Sequence, residues 1–184
     1  MNLIVKKYLE LDYDKMLNMI ILGIETSCDE TAVSVVRAEG SVEKQVFKVL
    51  GSALVSQIKM HEEFGGVVPN IAKREHIKNL PIVLRKALKE AGFLNSKFEA
   101  PNHKQIQNSN IKIPNIDELT KNIDAIAVTV GPGLEPALWT GINFAEQLSK
   151  DWGVPLIPTN HMEGHIASVL LSKTDENPKF EAPN

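Results

Sequence analysis

Two strand-like stretches separated by only four residues constrain this chain more than any other feature. Ile20 to Thr26 (IILGIET) reads as a buried strand, and Thr31 to Arg37 (TAVSVVR) is β-branched and partly alternating. Ser27 to Glu30 is too short for a crossover, so the two strands must be antiparallel neighbours. A third strand is expected within Gln45 to Val55. Pro69 to Ala91 spaces Ile77, Leu80, Leu84, Ala87, Leu88 and Ala91 along one helix face, with Gly92 as a C-terminal cap. Pro81 removes a backbone donor inside that stretch and is expected to kink or divide the helix.

Ile123 to Val130 (IDAIAVTV) reads as another buried strand, and Gly131-Pro132-Gly133 as a turn. Leu134 to Asp151 is a helix with Leu134, Leu138, Ile142, Ala145 and Leu148 on one face. Val154 to Ile157 is a short strand, and Asn160 to Leu171 a final helix. The order β-β-β-α-β-α-β-α predicts the α/β class. The sheet should be mixed, with an antiparallel hairpin and parallel, right-handed crossovers, and flanked by helices.

Other segments carry less pattern. Residues 1–18 form an N-terminal extension without the apolar block of a secretory signal. Leu94 to Asn122 is rich in Asn, Gln, Lys and Ser and reads as a surface insertion. No apolar run approaches the about 20 residues of a spanning helix, so no membrane association is expected. The formal charge of -3 gives no global field for nucleic acid, which would need a local patch. A single cysteine, Cys28, excludes a disulfide framework and suits a reducing cytoplasm.

Four segments can carry chemistry. In Asn160-His-Met-Glu-Gly-His165 the two histidines are four apart, so they share a helix face and can share one divalent metal. Asn160 and Glu163 have capping-box spacing, and a simple helix start is the alternative. Glu25-Thr-Ser-Cys-Asp-Glu-Thr31 is a polar hairpin able to hold phosphate oxygens, position a substrate or take a proton through Asp29 and Glu30. A solvated turn is its alternative. Gly131-Pro-Gly-Leu-Glu-Pro136 permits close backbone approach and offers helix N-terminal amides to an anion, although Glu135 would repel a phosphate, and a plain tight turn is the alternative. HEEFGGVVPN, His61 to Asn70, precedes the densest basic cluster, Lys73, Arg74, His76 and Lys78. That cluster can meet a nucleic-acid phosphate backbone or face water.

Taken together, LGIETSCDETAVSVV (Leu22 to Val36), SQIKMHEEFGGVVPNIAKREH (Ser56 to His76), GPGL (Gly131 to Leu134) and NHMEGH (Asn160 to His165) resemble the TsaD/Gcp family of tRNA N6-adenosine threonylcarbamoyltransferases. The resemblance implies an actin-like, sugar-kinase-like and Hsp70-like (ASKHA) ATPase fold of two α/β halves. Residues 19–172 match the first half, and 173–184 would begin the second. It implies one divalent metal, Fe(II) or alternatively zinc, held by His161, His165 and a distant aspartate without a counterpart here. It further implies transfer of a threonylcarbamoyl group from threonylcarbamoyl-adenylate to N6 of the adenosine just after the tRNA anticodon. Asp29 and Glu30 are the candidates for orienting substrate or assisting proton transfer. The implied partners are tRNA, a TsaB-like paralogue, a TsaE-like ATPase and a TsaC-like synthase, in the cytoplasm.

Other functions fit less of the pattern. The non-catalytic paralogue lacks the two-histidine motif. A phosphotransferase of the superfamily needs a nucleotide site spanning both halves. A metallopeptidase helix reads H-E-x-x-H, whereas Glu163 lies at a different helical angle. An inactive half-protein acting as an interaction subunit is the remaining alternative.

Overall fold

A computed structural model of the 184-residue chain describes residues 18–41, 44–94 and 123–168. β1 (Asn18–Glu25), β2 (Glu30–Ser41) and β3 (Lys44–Ser56) form an antiparallel meander. A short helix α1 (Ile58–His61) and a 3-10 turn (Glu62–Phe64) lead into α2 (Pro69–Glu90). β4 (Ala125–Gly131), α3 (Glu135–Trp152), β5 (Leu156–Asn160) and α4 (His161–Ala167) complete the described chain. The sheet order is β3-β2-β1-β4-β5, with β4 parallel to both β1 and β5. This is the mixed α/β sheet that the element order predicts.

Alternation along β1 turns Leu22 and Ile24 into the core, where they meet Val33 and Val35 from β2. α2 adds Leu80, Val83, Leu84 and Leu88, and α3 adds Ala145 and Leu148. Burying each large aliphatic side chain contributes about 1.5–3 kcal/mol, so this layer of helices on sheet carries the stability of the domain. Leu94 is also buried, at 8% exposure, and belongs to this core rather than to a surface insertion. The remainder of that segment, 95–122, lies outside the described residues, as do the extension up to residue 17 and everything after 168.

Two helix details differ from expectation. Pro81 neither breaks nor divides α2, which runs unbroken through it. The bond it forfeits is the one to the carbonyl of Ile77, on a turn that reaches the surface, where water can replace it. Ile77 itself is exposed, while His76 beside it is fully buried. The buried stripe of α2 is therefore rotated by one residue at this turn.

The topology brings the motifs together. β1, β4 and β5 are parallel, so their carboxyl ends share one edge of the sheet. β2 begins and β3 ends at that same edge, because both pair antiparallel. The Ser27–Asp29 loop, the Gly131-Pro-Gly turn, the Asn160 helix start and the Gln57–His61 segment all emerge there. Crevices beyond the carboxyl ends of parallel strands are where open α/β sheets bind ligands.

Candidate functional site

A cavity of about 350 Å³ opens at this edge, lined by Glu25, the Ser27–Glu30 segment, Thr129, His161 and His165. Asn160 caps α4: its side-chain oxygen accepts the backbone N–H groups of Met162 and Glu163 at 2.9 and 3.2 Å. That cap holds the first turn so that His161 and His165 stack on one face. Their Nε2 atoms are 3.0 Å apart.

Strand register supplies the group behind His161. Ile24 pairs with Val128, and Thr129 pairs with Thr159, so Glu25, Thr129 and the end of β5 stand side by side. Glu25 accepts the Thr129 hydroxyl at 2.6 Å and lies 3.3 Å from His161 Nδ1. Burial opposes ionisation of Glu25, but hydrogen bonds from Ser27, Thr129 and His161 outweigh it and hold the carboxyl below its ordinary value. A carboxylate is acceptor-only, so His161 donates Nδ1–H to it and keeps its Nε2 lone pair facing the cavity.

This arrangement fits a metal ion in two respects. With metal–nitrogen bonds of about 2.0–2.1 Å, neighbouring ligand atoms stand roughly 2.9–3.4 Å apart, which matches the histidine pair. The Glu25 carboxylate also selects the tautomer that a metal needs. Among the described residues no group of three or more His, Cys, Asp and Glu side chains completes a site. His161 and His165 alone would supply two ligands to such an ion.

The Ser27–Asp29 loop is clamped from inside by three consecutive carbonyls. Leu134 N–H donates to Ser27 at 2.7 Å, His76 Nε2 to Cys28 at 3.0 Å, and Gln57 N–H to Asp29 at 2.8 Å. Asp29 is half-buried and Glu30 exposed, both on the cavity wall. The Cys28 thiol is raised above its ordinary value by burial and by Asp29 and Glu30, which argues against a thiolate nucleophile. Gly133 allows the clamp: a Cβ there would stand 2.6 Å from the Ser27 carbonyl oxygen.

Sequence reasoning identified the histidine pair and the hairpin, and the fold brings both to one cavity. It did not single out Glu25, Thr129 or Gln57. It placed His76 in a surface basic cluster; His76 is buried, leaving Lys73, Arg74 and Lys78 on the outer face of α2. The missed signal was a carboxylate closing an otherwise apolar strand.

Burial, partly countered by the Cys28 carbonyl and by Glu25, Asp29 and Glu75, holds His76 below its ordinary 6.5. The unfolded chain therefore binds a proton near that pH that the folded chain does not. Stability should fall as pH drops through about 6.5, and stop falling on this account below the folded value. The melting temperature should decline more steeply between about pH 7.5 and about pH 5.5 for wild type than for His76→Gln, which lacks this titration. Parallel slopes would contradict it.

An α/β domain with two convergent imidazoles and a clamped polar hairpin at the carboxyl edge of its sheet is the class that fold and site define. The family model for TsaD, tRNA N6-adenosine threonylcarbamoyltransferase, matches residues 48–100 and 107–182. The chain is 43% identical over 162 residues to the transferase of that name from Thermosipho melanesiensis, covering 88% of this chain and 40% of the relative. It is 46% identical over 158 residues to that of Persephonella marina, covering 85% and 37%. Among solved structures, YeaZ from Pseudomonas aeruginosa aligns over 77% of this chain and 44% of its own, at 18% identity and TM-score 0.43. RuvC of Thermus thermophilus aligns over 86% and 74%, at 13% identity and TM-score 0.45. The chain belongs to the TsaD family. Its five-stranded mixed sheet with flanking helices is of the α/β class. It spans about two fifths of the length of the curated relatives it matches. The family match runs through most of 94–122, omitting only 101–106.

Proposed function

We propose that this domain forms one wall of a threonylcarbamoyl-transfer site acting on tRNA. The observation that carries the reading is the convergence of His161 and His165 on the cavity bounded by the Ser27–Glu30 hairpin. Family membership supplies the reaction class: relatives carry the name tRNA N6-adenosine threonylcarbamoyltransferase.

In this reading His161 and His165 hold one divalent metal, Fe(II) or alternatively zinc, with further ligands from outside the described residues. When bound, that ion supplies Lewis-acid polarisation of the threonylcarbamoyl-adenylate. Glu25 orients His161 through Nδ1 and makes it a better donor. Asp29 orients the acceptor or takes the proton that leaves adenosine N6. Glu30, more exposed, faces incoming substrate. Lys73, Arg74 and Lys78 are available to tRNA phosphates. Partners in this reading are a TsaB-like paralogue, a TsaE-like ATPase and a TsaC-like synthase. No helix among the described residues is long and apolar enough to cross a membrane, and the tRNA substrate assigns the work to the cytoplasm.

Metal binding is the accessible test. Titrated anaerobically with Fe(II), or with Zn(II), the chain should bind one ion weakly, because a stable site usually wants at least three protein ligands. Glu25→Gln should weaken binding by about tenfold. The double variant His161→Ala, His165→Ala should show none. Equal binding by wild type and double variant would refute the assignment.

A further inference from the structure

The HEEFGGVVPN motif has no part in the cavity wall, yet its histidine is buried. His61, Gln57 and His76 are 3%, 1% and 0% exposed. Three polar side chains this deep must satisfy one another, because an unpaired buried donor or acceptor costs about 1–3 kcal/mol. They do so in a single file. Val68 N lies 3.3 Å from His61 Nδ1, and His61 Nε2 lies 3.3 Å from Gln57 Oε1. Gln57 Nε2 lies 3.3 Å from His76 Nδ1, and His76 Nε2 lies 3.0 Å from the Cys28 carbonyl.

We propose that this file is a one-way hydrogen-bond relay, and that His61, Gln57 and His76 are positioning residues for the Ser27–Asp29 loop. Its direction follows from its ends. The Val68 amide can only donate, so His61 Nδ1 accepts and its Nε2 carries the proton. That proton goes to Gln57 Oε1, which turns the Gln57 amide nitrogen toward His76. The Cys28 carbonyl can only accept, so His76 is protonated at Nε2 and accepts at Nδ1. Both ends demand the same arrangement. The Thr31 hydroxyl, 2.8 Å from His76 Nδ1, donates to the same lone pair. Reversing any one member places two acceptors or two donors face to face.

The consequence reaches the site. Of the three loop carbonyls, those of Ser27 and Asp29 are held by backbone amides and only that of Cys28 by a side chain. The relay thus sets the middle of the loop, next to Asp29. The segment from His61 to Val68 thereby supports the hairpin through Gln57 and His76. The catalytic meaning of this rests on the transferase reading, whereas the relay itself does not.

The chain has one cysteine. Carbonyl-13C cysteine labelling therefore gives a single resonance that senses hydrogen bonding at Cys28. Long-range 1H–15N correlation of 15N-histidine in the same 184-residue chain reads the tautomers. The expected result is neutral His61 and His76, each protonated at Nε2. His76→Leu should move the Cys28 carbonyl signal upfield, and His76→Gln, whose amide N–H can replace the donor, should restore most of the shift. His61→Leu, which leaves the loop untouched, should shift the same signal in the same direction and redistribute the His76 tautomer. An Nδ1–H tautomer of His76 in the wild type would overturn the proposal, with no variant needed. So would an unchanged Cys28 signal in a folded His61→Leu protein. Neither readout involves metal or tRNA, so failure of the relay and failure of the transferase reading are separate results.

Discussion

Gly51→Ala is expected to destabilise the domain by about 3 kcal/mol, the upper part of the range for overpacking. Gly51 lies in β3 opposite Val35, where α2 crosses the sheet. A Cβ at this position would stand 2.3 Å from the carbonyl oxygen of Ala87 and 2.6 Å from the amide nitrogen of Ala91. Both are backbone atoms of the last turn of α2 and its cap, and no rotamer change moves them. The helix must lift from the sheet, which loosens Leu84, Ala87 and Leu88 against the core. Gly23→Ala is the natural comparison, since its Cβ would meet chiefly the Ser34 hydroxyl, at 3.0 Å. Thermal unfolding should show a fall of several degrees for Gly51→Ala and a distinctly smaller one for Gly23→Ala. Equal effects would mean that the helix does not rest on this glycine.

Gly51 also shows where reading the chain stops. Its strand was legible, because Gln45 to Val55 has strand character. Its function as the contact point for a helix was not, because that depends on which element crosses above it. The elements that form the core were legible from local pattern: the short link at Ser27–Glu30 dictated the hairpin, and Leu138, Ala145 and Leu148 kept helical spacing. The division allowed for at Pro81 does not occur, because propensity speaks for an isolated helix, while packing of Leu80, Val83 and Leu84 holds this one together. Leu94 misled because it is the last apolar residue before a polar stretch.

The site divides the same way. His161 and His165 announce themselves at four-residue spacing. Glu25 becomes visible only through strand register, which sets it beside Thr129 and behind His161. His76 looked basic because its neighbours Lys73, Arg74 and Lys78 are; helix rotation sends it inward instead. Tautomers and amide orientation cannot be read from spacing, since they follow from which backbone groups lie at the ends of a buried file.

The central claim is that the described residues bring together the histidine pair and the hairpin of the proposed threonylcarbamoyl-transfer site. The expected result is that the chain alone transfers no threonylcarbamoyl to tRNA. Among the described residues no group of three or more His, Cys, Asp and Glu side chains could hold a metal ion, and the cavity is open to solvent. Holding reactants in near-attack geometry is worth up to about 7–11 kcal/mol, and an open wall forfeits much of it. The most direct measurement is transfer of labelled threonylcarbamoyl from the adenylate to unmodified tRNA with partner proteins present. It compares the chain alone with the chain co-expressed with the remaining segment of the Thermosipho melanesiensis relative. The account predicts transfer only in the second case, and its loss in the His161→Ala, His165→Ala variant. Robust transfer by the chain alone, or transfer undiminished by the double substitution, would contradict it.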